Sequence, residues 1–249
     1  MPDAGSPGVA LVTGGASGIG RGAALELARH FRSVVVADLA IAAAEGVAEE
    51  IRSAGGTALA VAVDVGDESE VTAMVDRAVA AFGQIDVLVH SAGVLGRRRP
   101  ILEMTDQEWR SLLDVNLSGT FYVSRAVGRH MAGRGSGTVI LLASDRGVYG
   151  AREKAHYAAS KGAVIAYMKS FALELGQYGV TCNAINPGTT QTPGLEADTS
   201  PEHREARAAS DPLGRISTPD DIAKVVLFLA AGGGSFITGQ LFSTRMRVA

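Results

Sequence analysis

Val9-Ala10-Leu11-Val12-Thr13-Gly14-Gly15-Ala16-Ser17-Gly18-Ile19-Gly20 is an apolar, β-branched run that breaks into a glycine-rich turn, and a helical pattern through Ala23, Leu25, Leu27 and Ala28 follows. A short continuous apolar run reads as a strand covered on both faces. Glycines directly after it let the backbone turn tightly and come close to a bound group. The helix that opens there points its free N–H groups at that group, so strand, turn and helix together form a place for a pyrophosphate. Gly14, Gly18 and Gly20 carry a three-residue gap between the first two, unlike the common G-x-G-x-x-G.

The same alternation continues outward from this unit. Further strand candidates are 33–38, 58–63, 87–90, 138–143, 180–185 and 236–242, which with 9–13 makes seven. Between them run helical patterns such as Val71, Met74, Val75, Ala78, Val79 and Phe82. Repeated βα units predict one doubly wound α/β (Rossmann) domain over residues 1–249 with a mostly parallel seven-stranded sheet. One segment departs from the rhythm: 189–219 is polar and rich in proline. It follows a strand's carboxyl end, where such sheets bind ligands, and is expected to be an irregular substrate-binding lid; the alternative is a surface excursion with a short helix at 202–209.

Composition narrows the function. Of 249 residues, 47% are hydrophobic and the net charge is −3, which supports a globular core and offers no basic face for nucleic acid. No apolar run approaches the roughly 18–20 residues of a membrane span. The Pro/Gly/Ser-rich start has no charged and apolar signal regions. A single cysteine, Cys182, cannot form an internal disulfide, which fits the cytoplasm; within Val180-Thr-Cys-Asn-Ala-Ile185 it reads as a buried strand residue. No metal site is expected.

Two further patterns bear on chemistry. Asp38 ends the second strand and follows Gly20 at close to the spacing at which a carboxylate accepts bonds from an adenosine ribose. An anion there disfavours a 2′-phosphate, and neither Ser17 nor Leu39 supplies a compensating cation, so NAD is expected over NADP. Tyr157-Ala-Ala-Ser-Lys161 lies in a helical stretch, placing tyrosine and lysine on one face. An ammonium about 4 Å from the phenol, at an effective dielectric of about 20, contributes roughly 4 kcal/mol toward the phenolate. That would bring a tyrosine into the range of proton transfer near neutral pH.

With these patterns in place, the chain resembles the short-chain dehydrogenase/reductase family over essentially its whole length. The turn 13–20 is similar to that family's T-G-x-x-x-G-x-G, Asp64-Val65 to its adenine-side D-V, and Asn116 to its catalytic asparagine. Ser144 precedes Tyr157 by the interval at which the family's catalytic serine stands, and Pro187-Gly188 with Thr192 matches its P-G-x-x-x-T. The resemblance implies an NAD-dependent oxidoreductase interconverting a secondary alcohol or diol and a ketone, with Asn116, Ser144, Tyr157 and Lys161 as a tetrad. Tyr157 would exchange the proton, Ser144 hold the oxygen, Lys161 tune the tyrosine and hold the nicotinamide ribose, and Asn116 order a relay water. Cofactor contacts are expected from Gly14, Ser17, Gly18, Ile19, Gly20, Asp38, Asp64, Val65, Ser91, Ala92, Gly93, Tyr157, Lys161, Pro187, Gly188, Thr190 and Thr192. A homo-oligomer, commonly a tetramer, is implied as well. The alternatives are a catalytically silent NAD-binding sensor or scaffold and a same-fold epimerase or dehydratase.

Two stretches depart from the family pattern. His90-Ser91-Ala92-Gly93 stands where N-N-A-G is usual, and His90 reads as a satisfied buried group rather than a catalyst. The last strand leads to Ser243-Thr-Arg-Met-Arg-Val-Ala249 instead of V-D-G-G, which bears on the C-terminal subunit contacts. Finally, Arg146, two residues past Ser144, and Arg97-Arg98-Arg99 on the loop after the fourth strand point to an anionic substrate. The plainer reading pairs Arg146 with Asp145 or Glu153 and leaves the triple arginine solvated.

Overall fold

The computed structural model describes residues 8–245; the N-terminal stretch before Gly8 and the final residues 246–249 lie outside it. Seven strands form one sheet: β1 (Val9–Thr13), β2 (Ser33–Asp38), β3 (Ala58–Ala62), β4 (Val87–His90), β5 (Gly137–Leu142), β6 (Val180–Asn186) and β7 (Leu241–Ser243). Their order is β3-β2-β1-β4-β5-β6-β7 and every pairing is parallel. The helices are α1 (Gly18–Ala28), α2 (Ile41–Ser53), α3 (Glu68–Phe82), α4 (Asp106–Leu113), α5 (Gly119–Arg134), α6 (Asp145–Tyr149), α7 (Ala155–Leu175), α8 (Pro193–Asp198), α9 (Pro201–Ala209) and α10 (Pro219–Ala230).

The sheet carries a core on each face. Side chains alternate along a strand, so Leu11 packs with α3, α5 and α7 through residues such as Met74, Val127 and Met168. Its neighbours Ala10 and Val12 pack with α1, α2 and α10 through Leu27, Ile51 and Val226. Burial on both faces accounts for the unbroken apolar runs in the sequence. Gly22 lets α10 settle on α1: a Cβ there would lie 2.9 Å from Pro219 Cβ.

The chain winds outward from β1 to β3, then crosses back to place β4 on the other side of β1. The crevice at this reversal opens at the carboxyl ends of β1 and β4, where Thr13 pairs with His90.

Two expectations about the second half need correction. The last strand is Leu241–Ser243, not 236–242, and Phe236 is fully exposed. Gly232 and Gly239 adopt φ of 85° and 72°, so the chain is still turning where the apolar pattern suggested a strand. Segment 189–219 is not irregular: it holds α8 and α9, each opened by proline at the first turn and capped by Thr192 or Ser200. A bridge between Thr190 and Ser217 draws the two ends of the segment together.

Candidate active site

The glycine turn fits a closely approaching ligand. Gly14 has φ of 65°, and a Cβ on it would lie 2.7 Å from the Ala92 nitrogen; one on Gly20 would collide with the Gly14 carbonyl. Side chains at either position are therefore excluded by the backbone itself. Helix α1 starts immediately after, and its N-cap residue Ser17 makes no side-chain cap bond, leaving first-turn N–H groups without that acceptor. These groups border a cleft of about 460 Å³ lined by Gly14, Ser17, Gly18, Ile19, Asp38, Asp64, Val65, Ser91, Ala92, Gly93 and Thr192. Asp38 reaches it from the end of β2, where its carboxylate accepts from Ala16 N and Ala40 N at 3.0 Å each. Asp64 Oδ1 accepts from Gly66 N at 2.8 Å, tightening the turn after β3. A dinucleotide fits this cradle: glycine backbone and helix N-terminus for the pyrophosphate, a carboxylate at one end.

The cleft adjoins a second cavity of about 170 Å³. Ser144, Tyr157 and Lys161 line it together with Pro187, Gly188, Thr190 and Thr192. Ser144 caps α6, its hydroxyl accepting from Arg146 N at 3.3 Å. Tyr157 and Lys161 come from the first turns of α7 and are 8% and 6% exposed. Lys161 Nζ donates to Leu142 O at 2.7 Å. Burial pushes this amine down to about 8.

Tyr157 departs from expectation. Burial raises its pKa; hydrogen bonding to Ser144 and the Arg146 charge pull it down, with Asp145 and Asp198 opposing. Lys161, turned toward the β5 carbonyl, is not among the groups acting on it. Sharing a helix face brought the two residues to one cavity without making lysine the phenol's main partner.

Asn116 sits behind the cavity and is fully buried, within a π-helical turn at Asp114–Ser118. Its Oδ1 accepts from Val94 N at 2.8 Å, and its Nδ2 donates to Val94 O at 2.9 Å and Ser160 Oγ at 3.2 Å. It thus clamps the loop after β4 to α7. On that loop Gly93 leaves room for the clamp: a Cβ there would lie 3.1 Å from Asn116 Oδ1. His90 bonds Thr13 Oγ1 through Nδ1 at 2.8 Å, but its buried Nε2 has no partner among the described residues, so the ring is only half satisfied, against the sequence expectation. Burial, aided by the Lys161 charge, pushes its pKa down to about 3, so the ring is neutral.

The arginines divide between the two sequence readings: Arg146 lines the cavity and Arg97 is exposed, while the ion pairs that Arg98, Arg99 and Arg146 make are ones neither reading names. Arg99 pairs with Glu108 at 3.1 Å and Arg97 is exposed. Arg98 and Arg146 both turn to Asp198 of α8, at 3.2 and 3.8 Å. Lys154, fully buried, reaches the same carboxylate at 2.7 Å and donates to Leu95 O and Gly96 O. Asp198 and Arg207, which also line the cavity, were not found in the sequence reading. Their only signal was charge within a polar segment.

The chain is similar to known proteins over nearly its whole length. A family model described as enoyl-(acyl carrier protein) reductase matches residues 14–244. The cis-4-hydroxycyclohexanecarboxylate dehydrogenase of Sinomonas cyclohexanicum is 38% identical over 238 residues, covering 94% of each chain. The short-chain reductase protein NovJ of Streptomyces niveus is 42% identical over 241 residues, covering 93% of this chain and 90% of its own. An NAD⁺-bound xylitol dehydrogenase structure superposes with a TM-score of 0.91 at 32% identity, covering 98% of this chain and 99% of the other. On the fold, the ordered motifs and these relatives, the chain belongs to the short-chain dehydrogenase/reductase family.

Proposed function

We propose that the protein is an NAD-dependent oxidoreductase that interconverts a secondary alcohol and a ketone, with Tyr157 as the proton-exchanging residue. The observation that carries this reading is the placement of the Tyr157 hydroxyl. It is buried beside Ser144, in a cavity that Lys161 also lines and that opens into the glycine-lined cleft. The dehydrogenase names of the relatives, and NAD⁺ in the xylitol dehydrogenase structure, support it.

The cradle of Gly14, Ser17, Gly18, Ile19 and Gly20 would hold the pyrophosphate, Asp38 the adenosine ribose, and Asp64-Val65 the adenine side. Ser91, Ala92, Gly93, Pro187, Gly188, Thr190 and Thr192 would border the nicotinamide end. Asp38 presents a carboxylate where NADP would bring a phosphate, and Leu39 beside it offers no cation; this favours NAD. The nicotinamide supplies the two-electron donor or acceptor.

The protein's own groups manage the proton and the reacting oxygen. With its pKa raised by burial, Tyr157 holds its proton at neutral pH and is set to donate it to a carbonyl oxygen. In the oxidation direction the phenolate form receives the alcohol proton, so that rate rises with pH. Ser144 donates to the same oxygen as charge develops. Lys161 places an ammonium at the cavity floor, and Asn116 positions the loop that carries Ser91–Val94. Segment 189–219 closes over the cavity as a lid, contributing Leu195, Asp198 and Arg207. Exposed apolar side chains on α5 and α7, among them Phe121 and Leu173, offer a face for a homo-oligomer. Among the described residues no helix is long and apolar enough to cross a membrane, and we assign the protein to the cytoplasm.

The test is NADH formation from NAD⁺ and a panel of secondary alcohols, with Tyr157→Phe alongside. Turnover by the unmodified protein and none by the variant, which still binds NADH, is expected. Retained turnover in Tyr157→Phe would sink the mechanism; tight NAD binding without turnover on any alcohol would favour a sensor.

A further inference from the structure

In an alcohol dehydrogenase working through Tyr157, one end of the substrate lies at the tyrosine hydroxyl. The remaining walls of the cavity describe the other end. Two guanidinium groups line it, Arg146 of α6 and Arg207 of α9. The Arg146 guanidinium carbon lies 5.8 Å from the centroid of the Tyr157 ring, so this cation sits next to the reacting phenol. Its side chain is 16% exposed. Nη2 reaches Asp198, at 3.8 Å, and Nη1 is buried with no hydrogen-bond acceptor among the described residues. A buried, charged N–H without an acceptor is costly unless something arrives to accept from it.

Asp198 does not fill that role. Its carboxylate is taken up by Lys154 at 2.7 Å and Arg98 at 3.2 Å. Arg207 donates to Thr189 Oγ1 at 3.3 Å and His203 Nε2 at 3.1 Å, and among the described residues no carboxylate lies within ion-pair distance of it. The cavity continues outward past Arg146 and Arg207 into a second hollow walled by five arginines, of which Arg98 and Arg245 pair with Asp198 and Asp211, while Asp145 and Glu153 are the acids of the wall itself. The region holds more positive charge than its own acids neutralise.

We propose that the alcohol substrate carries a carboxylate, bound by Arg146 and Arg207 while its hydroxyl faces Tyr157. This inference rests on the dehydrogenase reading and names its substrate class. A carboxylate supplies the acceptor that Arg146 Nη1 lacks, and two planar forks match its two oxygens.

The first experiment compares kcat/KM for hydroxycarboxylates and their methyl esters, with NAD⁺, in the unmodified enzyme, Arg146→Met, Arg207→Met and Arg97→Met. The unmodified enzyme should prefer the acid. Arg146→Met and Arg207→Met should each lower the acid-to-ester ratio by at least about 30-fold, the range for truncating one partner of a partly buried charge pair. Arg97→Met, which removes an exposed cation from the neighbouring loop, should leave the ratio unchanged. A native preference for esters, or equal losses on acid and ester, overturns the proposal while leaving the dehydrogenase reading intact. The second experiment does not depend on turnover: benzoate and benzamide are titrated calorimetrically into the enzyme–NADH complex. Benzoate should bind more tightly, and the double variant Arg146→Met/Arg207→Met, checked by circular dichroism for native structure, should lose that advantage. Equal binding of the two compounds, or benzoate binding that survives in the folded double variant, overturns it.

Discussion

Replacing Lys161 with methionine tests whether a charge is stored in the core at the centre of the site. Lys161 is 6% exposed, and burial pushes its amine from 10.5 down to about 8. In the unfolded chain the amine regains its ordinary value. Between about pH 8 and 10.5 the unfolded chain therefore binds more protons than the folded one. The stability of the unmodified protein rises with pH through that window and gains nothing from this group below it. The interval corresponds to roughly 3 kcal/mol, a cost fully present at pH 7. Methionine removes that cost but also the charge-assisted bond to Leu142 O, which contributes about 1.5–3 kcal/mol. At pH 7 the variant should consequently be as stable as its parent, or more stable by up to about 1.5 kcal/mol, while losing activity. The sharper result lies in the pH dependence, read from urea unfolding at fixed protein concentration at pH 7, 8, 9 and 10. The difference between the two proteins should move in favour of the unmodified one by about 2 kcal/mol between pH 8 and 10. The raised pKa values of Cys182 and Tyr157 oppose this trend at alkaline pH, but both proteins share them and they cancel. A difference that stays constant across the series would refute the buried charge.

Asp38→Ala combined with Leu39→Arg removes an anion and adds a cation at the end of β2. It should raise kcat/KM for NADP relative to NAD, and an unmodified enzyme that already prefers NADP would contradict the role given to Asp38. Gly14→Ala puts a Cβ into a residue at φ 65° and against the Ala92 backbone. Thermal unfolding should show a loss of more than about 1 kcal/mol, and NADH titration a weaker complex; native values for both would show that the turn is not so constrained. Thr218→Ala removes one half of the capping box it forms with Asp221 at the start of α10. About 1 kcal/mol of stability should go, visible in urea unfolding, with kcat unchanged because the cap lies away from the cavity.

How much of this was legible in the sequence depended on whether local pattern or distant packing decides each feature. Strands β1 to β6 were found within a residue or so at each end, because burial on both faces writes itself as an unbroken apolar run. The glycine turn was legible because no other residue tolerates those backbone contacts. Helix α8 leaves no pattern to read and α9 stands only as an alternative to an irregular lid, although both starts are spelled out. Thr192-Pro193 and Ser200-Pro201 are the same cap-then-proline signal as Thr218-Pro219. Their lack of any buried residue left no periodicity to find. The partners of Arg146 and Lys154 were beyond reach for a different reason. Asp198 is distant from both along the chain, with α7 and β6 between, and only the fold of that intervening stretch brings it to them. The tyrosine's proton affinity failed on direction for the same cause: helix spacing says which residues share a face, not which carbonyl a lysine will choose.

The strand order also governs how the molecule is made. Thr13 and His90 touch across β1 and β4 but are 77 residues apart in the chain. During synthesis β1 emerges first and can be joined on one side by β2, while its other edge waits for β4. Until then the apolar strand 9–13 offers open backbone groups to any neighbouring chain, the form of edge that folded proteins cover or blunt. Pairings of this range are slow to close, and a nascent chain in this state is prone to aggregate. The active cavity arrives later still, since its walls run from Ile19 to Arg207. A fragment ending anywhere before α9 therefore holds the nucleotide turn without the completed pocket.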